Sequence, residues 1–397
     1  MKTPFSRFAS AGALLLALSA PSLAADYSGI KSAAEKLYSE GSFSKAREAY
    51  LTVNTNNLPL ADQRWTLFRI ADTQWRSLAA SNTRDDSTYQ EAHKELSVLE
   101  RDITRVEDQD LVWAEVQESL GDYHWTTRRG NNWRAAREHY NRALNWWAGS
   151  PDLDVARARY IGIVKRIAEP PNQNRNYFYG YYGNQLPLNI IENFQKIART
   201  REDRAHAHFL MAMTLRQQGD WTLRARVPTE FELAIGGGRG TGWIDDALFH
   251  YAQWMEQTGS VAINEDGQWN YEPDFVKALS LYRSLVRSFK KGETRHFDNA
   301  QRRIKSITDP TLNISVSNVF LPGSKIQYHA RWRNLDKIDF ELLAVDLSRD
   351  VQLKIGQDRQ PSWLDGIDLD KARNVRSWTL DTEDGGRHKP GAEAPWL

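Results

Sequence analysis

The sequence predicts a mainly α protein: an irregular solenoid of helical hairpins over residues 26–308, followed by a partial antiparallel β-domain over residues 311–397. Two observations carry the helical part. Apolar residues recur every three or four positions, the period of a helix buried on one side. Within that pattern a signature returns: a glycine turn, an aromatic, a small residue and, four positions on, a large aromatic. A third observation carries the β part. After Asp309-Pro310 the apolar period changes to two, the mark of strands with one buried face.

Residues 1–25 read as a secretory signal. Lys2 and Arg7 form a positive start, Ala11 to Ala20 an apolar run, and Ala24-Ala25 a small-residue cleavage site before Asp26. The expected protein is exported, periplasmic or secreted. No later stretch approaches the ~18 apolar residues of a spanning helix, so no transmembrane segment is expected beyond the signal. The 397 residues hold 52 Lys plus Arg against 51 Asp plus Glu, which offers no basic stripe for nucleic acid. With no cysteine, disulfides, thiol chemistry and cysteine-ligated zinc are excluded.

The first hairpin is the clearest. Ala34, Leu37 and Tyr38 give its first helix an apolar stripe, Gly41 makes the turn, and Phe43 plugs the gap between helices. Ala46 and Tyr50 share a face of the second helix, small then large, so a neighbouring helix can come close beside a filling ring. Trp65, Phe68, Ala71, Trp75 and Leu78 continue the helical period, then Tyr89, Ala92, Leu96, Leu99 and Ile103, then Val112, Val116, Leu120 and Tyr123. The signature returns at Gly130, Trp133, Ala136, Tyr140 and Ala143. It returns again from Ala212 through Gly219, Trp221, Phe231 and Ala234. A last copy has Ala247, Phe249 and Tyr251 on one helix and Phe275, Ala278, Tyr282 and Leu285 on the next. Between these two helices, residues 259–273 read as an insertion rich in Gly, Asn and Asp. These residues resemble the tetratricopeptide repeat, a two-helix unit with Gly, aromatic, Ala and aromatic at such offsets. The copies are unevenly spaced and no 34-residue period holds, hence the irregular solenoid.

Residues 175–183, R-N-Y-F-Y-G-Y-Y-G, interrupt the helices. Tyr177, Phe178, Tyr179, Tyr181 and Tyr182 are the candidate partner-binding residues, since such rings stack on a protein chain or a sugar. The competing and favoured expectation folds the loop back as a plug on the solenoid.

In the β region, Leu312, Ile314 and Val316 alternate, then Ile326, Tyr328, Ala330 and Trp332, then Ile338, Phe340 and Leu342. Turns stand at Leu321-Pro322-Gly323-Ser324 and Asn334-Leu335-Asp336. Ile314, Ile326, Tyr328, Trp332, Phe340 and Leu342 are expected on one apolar face, which must lean on the last helices around Phe297 and Ile304 or be left exposed. The polar tail from Gln357 is expected to add little.

Phe320-x-Pro322-Gly323, Trp332-Arg333-Asn334 and the strand after them resemble the first macroglobulin domain of bacterial alpha-2-macroglobulin-like proteins. The stretch Tyr182-Gly183-Asn184-x-Leu186-Pro187-Leu188 is similar to the helical leader of large members. The resemblance implies the N-terminal portion of an endopeptidase inhibitor with protein partners, proteinases among them. Family members are far longer, and many tether an attacker through a Cys-Gln thioester. Without cysteine that group is absent from these residues, and no bait region is expected either.

Candidate chemistry is sparse. His206 and His208 stand two apart, on opposite sides of a helix, and are expected to be structural. Gly236-Gly237-Gly238-Arg239-Gly240 lacks the Lys-Ser/Thr ending of a phosphate loop. Asp365-Gly366-Ile367-Asp368-Leu369-Asp370 lacks the spacing and closing glutamate of a calcium loop. Arg128, Arg129, Arg134 and Arg137, interleaved with acids such as Glu138, read as a solvated face. No catalytic residue, cofactor or metal ligand is assigned. The expectation is a non-enzymatic interaction scaffold. Two alternatives stand beside it. One is a free-standing periplasmic adaptor for envelope assembly. The other is an α-toroid lyase-type enzyme on polysaccharide, for which Tyr181, His206 and Arg239 are the residues to recruit.

Overall fold

The computed structural model describes residues 27–80, 86–103, 105–126, 133–168, 186–238, 240–316, 323–346, 369, 372–382 and 385–396. The signal sequence, the aromatic residues Tyr177, Phe178, Tyr179, Tyr181 and Tyr182, and the Phe320-x-Pro322 motif lie outside them. The chain forms two compact units, residues 1–167 and 168–397.

The first unit is helical. In order come α1 (Tyr27–Ser39), α2 (Phe43–Leu51), α3 (Leu60–Ala80), α4 (Asp86–Arg101), α5 (Leu111–Thr126), α6 (Trp133–Ala148) and α7 (Leu153–Ala168). Helices α1 to α5 each pack on the next. Gly41 sits at φ +77, the left-handed region a side chain disfavours, and turns α1 into α2. Phe43 meets Tyr38 edge to face at 5.3 Å, the expected plug. Ala46 and Ala136 are fully buried beside Tyr50 and Tyr140, as their spacing predicts.

The second unit begins with α8 (Leu188–Ile197), α9 (Arg201–Leu215), the single turn α10 (Trp221–Arg224), α11 (Val227–Gly236) and α12 (Ile244–Gln257). The expected insertion is in fact a β-hairpin, β1 (Ser260–Ile263) against β2 (Trp269–Glu272). The stretch is short and half polar, so its V-A-I and W-N-Y runs are masked by the Asn, Asp and Gly that make its turn. Tyr271 stacks on Trp221 at 5.5 Å and holds the hairpin to α10. Then come α13 (Phe275–Ser288), in which Ala278 and Tyr282 repeat the buried pair, and α14 (Phe297–Thr308).

Strands β3 (Thr311–Ser315), β4 (His329–Arg333) and β7 (Gly391–Glu393) form one antiparallel sheet in the order β3-β4-β7. Strands β5 (Lys337–Ala344) and β6 (Arg373–Asp381) form another. Two expectations fail here. Residues 373–393 of the polar tail supply β6 and β7, because Trp378 and Leu380 bring enough apolar surface to close on Phe340 and Ile338. And β3 is not buried: Leu312 and Ile314 are 45% and 49% exposed although their cross-strand partners Trp332 and Ala330 are buried. The apolar layer covers β4 and stops short of the sheet edge. Leu342 is only half-buried for a similar reason, near a register shift in β5. The sheet does lean on the end of α14. Asn334, at φ +54, donates its amide to the carbonyls of Ile307 at 2.7 Å and Asp309 at 3.0 Å.

Candidate functional site

One bonding device recurs between hairpins. Tyr50 donates its hydroxyl to Glu35 at 2.5 Å, and Arg69 of the following helix grips the same carboxylate at 2.8 and 2.9 Å. Tyr140 donates to Asp122 at 2.6 Å, and Arg166 lies 3.3 Å from that carboxylate. Tyr282 donates to Glu256 at 3.1 Å, with Arg303 at 2.8 Å. In each case the large aromatic of the second helix, a carboxylate of the first and an arginine from a later helix meet. The ring fills the crossing, and its hydroxyl carries the link to the neighbour.

In the first unit these links fuse into a ladder. Asp72 accepts from Arg76 at 2.8 Å and from Ser119 at 2.6 Å, and Arg76 reaches Asp122 at 2.9 Å. Glu118 accepts from Arg159, Arg166 and the Trp147 indole at 2.7–3.0 Å. Burial would raise the Asp122 carboxyl, but Arg166 and Arg76 outweigh it and hold it below the usual carboxylate range. For Glu115 burial wins over Arg159 and Arg69, and its carboxyl is raised. Such pairs add little net stability, because each charge must leave water.

A cleft of about 740 Å³ opens in the same unit. Trp113 and Trp146 line it with Glu100, Gln109, Arg142 and Asn145. The Trp146 indole is anchored on the Gln109 carbonyl at 2.9 Å, and Glu100 is bridged by Arg142 at 2.7 Å. Two indoles and a rim of amide, carboxylate and guanidinium groups suit a chain with alternating apolar and polar groups.

Two histidine clusters complete the inventory. In the first unit His124 stacks on His139, planes 10° apart at 5.5 Å, and His93 meets His124 edge to face at 5.1 Å. Burial, then His139 and His93, lower His124 to about 4. In the second unit Asp246, His250 and His296 bring one donor atom each within 4.8 Å of one another. His296 Nε2 lies 2.7 Å from Asp246 Oδ1, and Arg295 also pairs with that carboxylate. His250 is lowered to about 3 by burial first, then by Arg216 and His296.

Of the residues singled out in sequence, His206 is fully buried, stacked on Trp243 at 3.8 Å with Phe194 edge on. His208 instead meets Glu230 at 2.8 Å, so the two histidines have separate partners. Gly236 and Gly237 close α11, and Gly238 at φ +73 turns the chain towards α12. Arg128, Arg129, Arg239 and the residues 365–368 lie outside the described residues. The tyrosine–carboxylate–arginine links and the Asp246 cluster were not anticipated. The members of the links lie fifteen or more residues apart at no constant offset, and although Asp246 and His250 stand four apart, His296 joins them from fifty residues on.

No protein family matches the chain, and no curated protein matches it. Among solved structures, the C-terminal part of a TPR repeat-containing protein from Cytophaga hutchinsonii is similar, at 14% identity and a TM-score of 0.28 over 67% of this chain and 97% of that one. The architecture, hairpins of helices with small antiparallel sheets, defines the class as a mainly α helical-repeat protein. No helix among the described residues is long and apolar enough to cross a membrane.

Proposed function

We propose that this chain is a non-enzymatic protein-interaction scaffold and that the cleft between Glu100 and Pro151 receives a segment of a partner protein. The observation that carries the reading is the pairing of that cleft with the ladder beside it. The cleft offers two indoles and unlike charges at an open surface, whereas Asp72, Glu118 and Asp122 are engaged in bonds between helices. A buried carboxylate tied to arginine and tyrosine is a strut, poorly placed to accept a substrate proton. The same consideration disfavours the lyase alternative at His206, whose ring lies under Trp243 out of solvent.

The finer reading is an exported protein corresponding to the N-terminal portion of an alpha-2-macroglobulin-like endopeptidase inhibitor. It rests on the residue pattern around Gly323 and Trp332-Arg333-Asn334, and on the charged, apolar and small residues of positions 1–25. Mass spectrometry of the mature chain, beginning at Asp26, tests the export; an intact Met1 defeats it. For the inhibitor reading, immobilised trypsin or elastase should retain the chain without losing activity, since no bait region is expected in it. A chain that passes through unretained removes the reading.

The scaffold itself is tested by site-specific photocrosslinking. A photoreactive residue at Val106, 76% exposed on the cleft, should yield discrete protein adducts, and the same residue at Leu233 in the other unit should not. Asn145→Trp, which fills the cleft from an exposed position, should abolish the adducts. Adducts that persist unchanged in that variant place the partner elsewhere.

A further inference from the structure

We propose that Asp246, His250 and His296 form a binding site for one divalent transition-metal ion of the zinc, cobalt and nickel class. The inference is independent of the scaffold reading and draws on a different unit of the chain.

Asp246 and His250 are four apart in α12, so their side chains rise from one face of the helix. His296 is the N-cap of α14 and enters from the next hairpin. The three donor atoms already lie within 4.8 Å of one another. A tetrahedral ion with bonds of about 2.0–2.2 Å separates its ligands by roughly 3.3–3.6 Å, so side-chain adjustment alone can seat it. Two imidazoles and one carboxylate are the donor set of zinc-like ions, whereas calcium and magnesium take oxygen.

The surroundings add two features of a metal centre. His250 Nδ1 stands 3.0 Å from the Gln253 side-chain oxygen; donating there orients the ring and leaves Nε2 as the basic nitrogen. His296 is clamped between partners as well, its ring stacked on Phe249 at 4.2 Å. Asp246 and His296 are buried, so the ion would meet little competing water.

Arg295 is what such an ion must displace. Its guanidinium pairs with Asp246 Oδ1, and its Nε lies 3.2 Å from His296 Nε2. It supplies the positive charge that a metal would bring. Its side chain is 30% exposed, so it can release Asp246 and turn to solvent. Arg216 also faces His250 and opposes a dication, which sets the expectation of moderate rather than very tight binding.

The test uses the full untagged chain, stripped with a chelator and titrated with cobalt(II) and zinc(II) chloride. One equivalent of cobalt should bind with the visible absorption of a tetrahedral site, and zinc should displace it. His250→Asn and His296→Asn should each weaken uptake at least tenfold, while His124→Asn in the other unit should not. Should either variant fail to fold, Arg295→Gln keeps all three ligands and decides the matter. Removing the competing cation should tighten binding on the order of tenfold. No stoichiometric uptake by the parent chain, or an unchanged affinity in Arg295→Gln, overturns the proposal and leaves an Asp–His–Arg clamp.

Discussion

The two histidine clusters hold similar residues and do different things. In the first unit His124 and His139 lie face to face, planes 10° apart, so their ring nitrogens point outward from the stack and share no common point. In the second unit the His250 and His296 planes cross at 78°, and a carboxylate stands between ring edges. Stacked faces exclude water and disfavour a proton. Converging edges around a carboxylate favour a fixed cation, guanidinium or metal, although burial and Arg216 disfavour a proton on His250 as well. The difference lies in how the helices approach. Gly121 of α5 leaves room for the Tyr140 ring of α6, and the neighbouring His139 lies flat on His124. In the second unit His296 arrives from a helix cap, at an angle to α12.

The largest expected effect breaks the second cluster. Asp246→Ala frees Arg295 to turn to solvent but leaves the buried His296 ring without its carboxylate partner. A loss of about 2–3 kcal/mol is expected, measured by urea denaturation. Glu100→Ala, beside His139 in the first cluster, removes a more exposed acid and should cost about 1 kcal/mol or less. Equal costs would mean that the two clusters are not different in kind.

The next effect tests the close approach behind the stack. A Cβ on Gly121 would lie 2.6 Å from the Tyr140 ring. Gly121→Ala should therefore push α6 away, at a cost of about 1–3 kcal/mol. The His124–His139 stack should open with it, and the His124 titration followed by NMR should move up towards the ordinary histidine range. A variant as stable as the parent, with His124 unmoved, would show that Gly121 does not set the spacing.

Much of the helical part was legible because its determinants are local. Ala46 and Tyr50, Ala136 and Tyr140, Ala278 and Tyr282 each stand four apart, so one turn of helix already states which face is buried. The links that join hairpins were not legible. Tyr50 finds Glu35 fifteen residues back, whereas Tyr282 finds Glu256 twenty-six back, and only the packed helices bring them together. The Asp246 cluster spans fifty residues for the same reason. In the β region, alternation identified β3, β4 and β5 but could not tell a covered face from an open one. Leu312 and Ile314 alternate as well as Ala330 and Trp332 do, yet they lie at an edge the second sheet does not reach. Strand β6 has its covered apolar residues, Trp378 and Leu380, at one end, with Val375 exposed and out of phase with them, and its other residues are mostly polar. Of the candidate site, the aromatic run from Tyr177 to Tyr182 lies outside the described residues, and the cleft assembles from loops and helix ends that share no motif.

The smallest expected effect sharpens the comparison through pH. Burial, with His139 and His93 as neighbours, lowers His124 to about 4, and burial lowers His93 and His139 as well. In the unfolded chain each ring titrates near the ordinary value of about 6.5. Between these values the unfolded chain binds more protons than the folded one, so acid favours unfolding. The contribution of His124 is therefore complete above about pH 6.5 and declines as the pH falls towards about 4, where it levels off. The ring keeps part of its contact with water, which screens the effect to about 1–2 kcal/mol. Carboxylates such as Asp122, held low by Arg166 and Arg76, lose their contribution only in stronger acid, whereas Glu115, raised by burial, acts above the usual carboxylate range with the opposite sign. His250 titrates low too, and the measurement must therefore be a difference. Melting curves of the parent and of His124→Asn, taken from pH 7 to pH 4, isolate the one ring. The gap between the two should shift by that amount in favour of the variant as the pH falls. A gap that stays constant across the window would mean that the stack tolerates a proton, and the two clusters would then differ in geometry alone.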